Sequence, residues 1–164
     1  MPYQKAWCVG ERSGVLREII DCYKFENAKA GYKTLATLLD ECVDDLPPQT
    51  IVVPIPTIPS HVRARGYDHA LLMARCFAQK RSLAVQKVLV RTTSTTQRGS
   101  SRQQRQVQAE AAFALSHPLR SDAVYLIVDD ITTTGATLRS AANVLRQAGA
   151  RQIWVAVIAK QPLD

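Results

Sequence analysis

The stretch VYLIVDDITTTGATLRSAANVLRQAGA, residues 124–150, constrains the fold of this chain more than any other. The apolar run at 124–128 predicts a strand covered on both faces, the pattern of the middle of a parallel sheet. Two carboxylates, Asp129 and Asp130, stand at its carboxyl end. Residues 137–148 follow with Leu138, Ala141, Ala142, Leu145 and Ala148 on one helical stripe, and Gly149 ends that helix. A strand that passes at once into a helix calls for a crossover to a parallel neighbour, so the chain reads as α/β. In such sheets ligands bind outside the carboxyl ends of the strands.

The residues at that edge suggest which ligand. Thr132, Thr133, Thr134, Gly135, Ala136 and Thr137 offer hydroxyls and backbone amides at a helix N-terminus, where the macrodipole favours a phosphate. Gly135 lets the backbone come close to it. Carboxylates beside a phosphate would repel it unless the ligand separates the two. A ribose 5-phosphate does so, with its hydroxyls donating to Asp129 and Asp130 and its phosphate further along the loop. The plainer alternative is that the acids begin a turn and the threonines cap the helix. Neither G-x-x-x-x-G-K-[ST] nor G-x-G-x-x-G occurs, so the P-loop and the Rossmann dinucleotide site are poor rivals.

The remaining pattern extends the same fold. Leu16, Ile19, Ile20 and Tyr23 predict a helix over 15–25, and Leu35, Leu38, Leu39 and Cys42 a second over 28–43. Residues 50–53 read as a buried strand that runs into the stiff Pro54-Ile55-Pro56 loop. A helix is expected over 68–81, strands over 85–90 and 152–159, and a short edge strand at 113–115. Residues 91–105 hold four Arg and little to bury, which reads as a long loop or a hinged flap. With 164 residues and no linker, one domain covers 1–164, with 1–12 as an N-terminal extension.

Composition narrows the surroundings. No run approaches the roughly 20 apolar residues that span a bilayer, and 1–10 has no signal-peptide pattern, so a soluble cytoplasmic protein is expected. Cys8, Cys22, Cys42 and Cys76 are scattered without metal spacing and read as free thiols, although sequence leaves a disulfide open. The net charge of +7 favours a polyanion. It is concentrated: residues 61–105 carry 10 Lys and Arg against Asp68 alone, a density that suits a small diphosphate and leaves nucleic acid as the weaker choice.

At IVDDITTTGAT the chain resembles the type I phosphoribosyltransferases. With GVLREIIDCYKF, VVPIPTIPSHVRARGYDHA, Arg91 and Thr96-Gln97, and Ala112-Phe113, it is similar to the ComF family, over residues 13–160. The resemblance implies a phosphoribosyltransferase-like fold, a mostly parallel sheet with helices on both faces and further helices at the N-terminus. It implies binding of phosphoribosyl pyrophosphate with Mg2+ carried by substrate oxygens and water, and transfer of ribosyl phosphate to an acceptor that no residue identifies. Asp129 and Asp130 would meet the ribose and 133–137 the 5-phosphate. Val53, Pro54, Ile55 and Pro56, with Thr57, would form the pyrophosphate loop. Arg63 and Arg65 would supply charge to the diphosphate, joined by Arg91, and 91–105, with Gln97, Arg98, Arg102 and Arg105, would be a closing flap.

The resemblance also implies a second role, an accessory in DNA uptake that uses the pocket as a ligand sensor beside a competence or recombination partner. Aromatic residues are 6 % of the chain and none lies in 91–105, which weakens direct binding of single strands. Three departures stand out. Relatives begin with a cysteine-rich zinc module, whereas Cys8 stands alone here, so no zinc is expected. Gly66-Tyr67-Asp68-His69 replaces Gly-Phe-Asn-Gln, and Ser100 and Gln108 replace a Leu and an Asn in the flap.

Overall fold

Alternation along the central strand organises the molecule. In the computed structural model, which describes residues 1–25, 31–92 and 113–162, strand β6 (Val124–Thr132) is flanked in parallel by β2 (Thr50–Pro54) and β7 (Gln152–Lys160). Strand β1 (Lys5–Glu11) lies outside β7, and β3 (Ala84–Val85) outside β2, so the parallel sheet runs β1-β7-β6-β2-β3. Successive side chains point to opposite faces of a strand. Val124, Leu126 and Val128 therefore pack with Ile20, Leu35, Leu39 and Phe77 of helices α1 (Gly14–Phe25), α2 (Gly31–Cys42) and α4 (His69–Lys80). Tyr125 and Ile127 pack the other way, with Leu138, Ala141 and Leu145 of α5 (Ala136–Gln147) and with Phe113. Helices thus cover both faces, which explains why the run at 124–128 is apolar throughout.

Connectivity fixes where a crevice opens. The chain leaves β2 toward β3 in one direction, and β6 toward β7 in the other. The order reverses between β2 and β6, and the carboxyl ends of those two strands frame the switch point at which α/β sheets hold ligands. The Ile55 amide donates to the Val128 carbonyl at 2.9 Å, so the Pro54-Ile55-Pro56 loop stays beside the acid pair.

Some elements differ from the sequence reading. The segment expected to be an extension contains β1, an edge strand whose Trp7 meets Trp154 edge to face at 5.8 Å. Its mixed burial gives no clear period of two, and only pairing with β7 makes it a strand. The strand expected over 85–90 is divided: Ala84–Val85 joins the main sheet, while Leu89–Arg91 (β4) pairs antiparallel with Phe113–Leu115 (β5). Helix α3 (Pro59–Arg65) replaces the expected loop after β2. Pro59 starts it with a preset φ, and Gly66 at φ 78° ends it in the left-handed region. Among the described residues, no helix is long and apolar enough to cross a membrane.

Candidate functional site

A cavity of about 600 Å³ opens at the switch point. Asp129 and Asp130 reach it from the end of β6, Ile55, Pro56 and Thr57 from the loop after β2, and Arg65 from α3. Arg91 closes it from the end of β4, Thr137 from the first turn of α5, and Lys24 and His69 from the ends of α1 and α4.

The two acids have different surroundings. Asp130 is 4 % exposed. Its Oδ2 lies 2.7 Å from Lys24 Nζ and 2.8 Å from His69 Nε2, while Oδ1 accepts from the Ile131 amide at 2.6 Å. Burial works against its charge, yet His69 and Lys24 outweigh burial and hold the carboxyl below the usual carboxylate range. Asp129 is half-buried, and its Oδ1 accepts from the Asp130 amide at 2.9 Å. Burial first, and the neighbouring Asp130 charge second, push its carboxyl well above the ordinary value. One acid is thus a fixed anion committed to two protein cations or donors, and the other is the acceptor that opens on the cavity.

His69 is held from both sides. Its Nδ1 is 2.7 Å from Arg65 Nη1. A guanidinium can only donate, so Nδ1 accepts and the ring hydrogen sits on Nε2, facing Asp130. The Tyr23 hydroxyl donates to the His69 carbonyl at 2.6 Å, and the Tyr67 hydroxyl donates to the Tyr23 carbonyl. Asp68 caps α4 through the Leu71 amide at 3.1 Å and accepts from the Thr57 hydroxyl at 2.8 Å, which ties the loop after β2 to the start of α4. The departures at positions 68 and 69 are therefore both built into the site's frame.

Arg65 and Arg91 are the two guanidinium groups that line the cavity. Arg91 Nε donates to the Pro56 carbonyl at 2.7 Å, and its guanidinium lies 5.1 Å from the centre of the Phe113 ring. Burial pushes the Arg91 pKa down, and Asp129 opposes that shift. Arg63 does not line the cavity and is exposed. Two residues on a helix are turned by about 200°, so Arg63 and Arg65 leave α3 on opposite sides. Val53 and Pro54 lie buried in β2, beneath the loop that Ile55 and Pro56 contribute. Thr132 ends β6, Thr133 and Thr134 are in the turn, and Thr134 Oγ1 accepts from the Ala136 amide at 3.3 Å. Of the expected flap, Gln97, Arg98, Arg102 and Arg105 lie outside the described residues.

Gly135 sets the turn into α5. Its φ is 76°, where a side chain is strained, and an added Cβ would meet Arg139 Nη1 at 3.1 Å. Arg139 Nη1 donates to the Thr134 carbonyl at 2.8 Å and so braces the turn. Gly135→Ala is expected to cost about 1–2 kcal/mol, chiefly through the backbone, because the flexible Arg139 end can move aside. Thermal unfolding of the two proteins would check this, and an unchanged midpoint would mean that the turn readjusts freely.

Sequence reasoning missed Lys24, His61, which lines the cavity from α3, and the bridging role of His69. Lys24 sits in the last turn of an amphipathic helix, an ordinary place for a basic residue, and nothing local points it at Asp130. His69 was visible only as a change from the family pattern.

Comparison with known proteins gives a consistent picture. A family described as "Phosphoribosyl transferase domain" matches residues 25–164. Competence protein F of Haemophilus influenzae is 30% identical over 166 residues, a match that takes in 93% of this chain and 71% of that protein. Among solved structures, the allosteric regulatory enzyme of purine biosynthesis superposes with a TM-score of 0.52 at 18% identity, over 77% of this chain and 25% of the other. Glutamine phosphoribosylpyrophosphate amidotransferase from B. subtilis matches equally, with a TM-score of 0.52. The chain thus spans about a quarter of these enzymes, and at this identity the likeness is one of fold.

Proposed function

The chain belongs to the phosphoribosyl transferase domain family and has its type I fold, and on that basis we propose that it binds phosphoribosyl pyrophosphate with Mg2+ and transfers ribosyl 5-phosphate to a nucleophile, releasing pyrophosphate. The observation that carries this reading is one cavity with a carboxylate acceptor, Asp129, a helix N-terminus at Thr137, and two guanidinium groups, Arg65 and Arg91. A ribose with a phosphate at one end and a diphosphate at the other needs those three kinds of partner.

In the reaction, the bond from ribose C1 to the diphosphate oxygen breaks with its electron pair leaving on the oxygen, and a bond from C1 to the nucleophile forms. The ribose gains oxocarbenium character, so this chain contributes by orienting the sugar and stabilising the leaving group. Asp129 accepts from ribose hydroxyls, and Asp130, locked by Lys24 and His69, keeps Asp129 in register through its amide. Arg65 and Arg91 present planar donors to the diphosphate oxygens. A Mg2+ ion bound with the diphosphate would supply further positive charge to the leaving group.

The test is incubation with phosphoribosyl pyrophosphate, Mg2+ and a panel of bases and amines, following pyrophosphate release, beside calorimetric titration. If the double variant Asp129→Asn with Asp130→Asn bound phosphoribosyl pyrophosphate as tightly as the wild type, the assignment would fail. The similarity to Competence protein F favours a second reading, an accessory of DNA uptake that senses the ligand without turnover. Tight binding with no release for any acceptor would favour it. A gel shift with single-stranded DNA that weakens with salt would extend it to nucleic acid, and no shift at low salt would leave a protein partner.

A further inference from the structure

Arg65 belongs to the diphosphate side of the cavity and Asp130 to the ribose side, and His69 touches both. This imidazole is 7 % exposed and has one nitrogen committed in each direction. Its Nε2–H is fixed by Asp130, which is fixed in turn by Lys24. Its Nδ1 carries a lone pair occupied by Arg65 Nη1. We propose that His69 is a proton-coupled ligand-binding residue: when a diphosphate ligand engages Arg65, His69 takes up a proton at Nδ1 and becomes a cation bridging the ligand's diphosphate to Asp130. The proposal rests on the reading of the cavity as a phosphoribosyl pyrophosphate site.

A guanidinium meets phosphate oxygens with both partners ionised and with two parallel N–H donors, whereas the imidazole Nδ1 offers it one neutral acceptor, so the phosphate is the stronger partner. An arriving diphosphate therefore competes for Arg65 and leaves the Nδ1 lone pair without its donor. The same ligand brings several negative charges into a cavity bounded by protein, which favours an imidazolium over an imidazole. The proton comes from solvent, forms one N–H bond at Nδ1 and breaks none in the protein. The imidazolium then donates from both nitrogens, with Nε2 still on Asp130. Histidine is the side chain suited to this exchange between about pH 5 and 8.

The groups that face His69 support this direction. Asp130 from β6 is the adjacent anion, and Asp129 beside it disfavours its own charge. Lys24 from α1 already pairs with Asp130 and Arg65 from α3 is the donor displaced. Tyr23 lies edge to face with the ring at 6.1 Å and holds the His69 backbone, while Tyr67 and Asp68 are tied into the frame by hydrogen bonds. Arg91 lines the same cavity, and the ligand's charge would offset it.

His69→Gln separates titration from hydrogen bonding, because an amide can accept from Arg65 and donate to Asp130 but takes up no proton. The full-length protein would be titrated with phosphoribosyl pyrophosphate and Mg2+ near pH 7 in buffers of different ionisation enthalpy. Wild type is expected to take up as much as about one proton per bound ligand more than His69→Gln, with both proteins binding. Equal proton linkage in the two would overturn the proposal and leave the ligand assignment standing. Absence of binding to wild type would overturn both. If the variant does not fold, nitrogen-15 spectra of histidine-labelled wild type answer the question. Nδ1 of His69 should be unprotonated without ligand and protonated with it, and an unprotonated Nδ1 in the complex would refute the coupling.

Discussion

Asp130→Ala is expected to destabilise the fold by about 3–5 kcal/mol, the range for removing one partner of a buried ion pair. The carboxylate stands 2.7 Å from Lys24 Nζ and 2.8 Å from His69 Nε2, and the Lys24 side chain is only 14% exposed. Its removal leaves an ammonium with no counter-charge and an imidazole N–H with no acceptor, at the junction of α1, α4 and β6. Adding Lys24→Met should recover part of the loss, because the orphaned cation goes with it. Urea unfolding of the single and double variants measures both effects, and a loss below about 1 kcal/mol in Asp130→Ala would show that water reaches Lys24.

The same pair gives a pH dependence of definite sign. Asp130 is held below the ordinary carboxylate range by His69 and Lys24 against the opposing pull of burial, so the folded chain binds this proton less readily than the unfolded one. Its contribution is complete above the unfolded value of about 3.9 and is lost as pH falls through the lower folded value. Wild type should therefore lose stability below about pH 4 more steeply than Asp130→Ala.

Asp129→Asn should act in the opposite sense on the fold and strongly on the ligand. Burial, and then the Asp130 charge, raise the Asp129 pKa, so the folded state favours the protonated form and the ionised group opposes folding above that value. That penalty is relieved as pH falls through the raised pKa. An asparagine keeps an oxygen for the Asp130 amide, now 2.9 Å away, and carries no charge, so the unfolding midpoint at neutral pH should rise. On the proposed assignment the ribose hydroxyls would lose a charged acceptor worth about 1.5–3 kcal/mol, and affinity for phosphoribosyl pyrophosphate should fall about 10- to 150-fold. Thermal unfolding and calorimetric titration of one preparation would show both. A gain in stability with unchanged affinity would remove Asp129 from the ribose site. Such opposition between stability and binding is expected where a fold keeps a disfavoured charge for a ligand.

The acid pair and the threonine loop were legible in the sequence because they are contiguous. A strand, two acids, a short turn and a helix are all local, and each follows from the period of the side chains around it. The loop after β2 was legible in part. Pro54, Ile55 and Pro56 marked the end of a strand, but α3 was hidden, since a helix of this length has little room for a periodic stripe. Without it the two arginines looked equivalent. On the helix, Arg65 turns into the cavity and Arg63 turns out.

Lys24, His69 and strand β1 show where local pattern stops. An amphipathic helix specifies which face is buried, not which residue of another element meets its last turn. The Lys24 contact exists because α1 packs against α2 in the same core as Val124, Leu126 and Val128 of β6, which brings its last turn to Asp130, and the His69 bridge because Gly66 turns the chain from α3 into α4. β1 is a strand because β7 offers it an edge. By itself the sequence determined the α/β class, the central strand, and a carboxyl edge bearing two acids and a phosphate-suited loop, all consequences of neighbours along the chain. Only the tertiary structure decided which acid is tied to protein cations. Burial and pairing are properties of space, and on one cavity they commit Asp130 to Lys24 and His69 while Asp129 accepts only the Asp130 amide among the hydrogen bonds of the described residues.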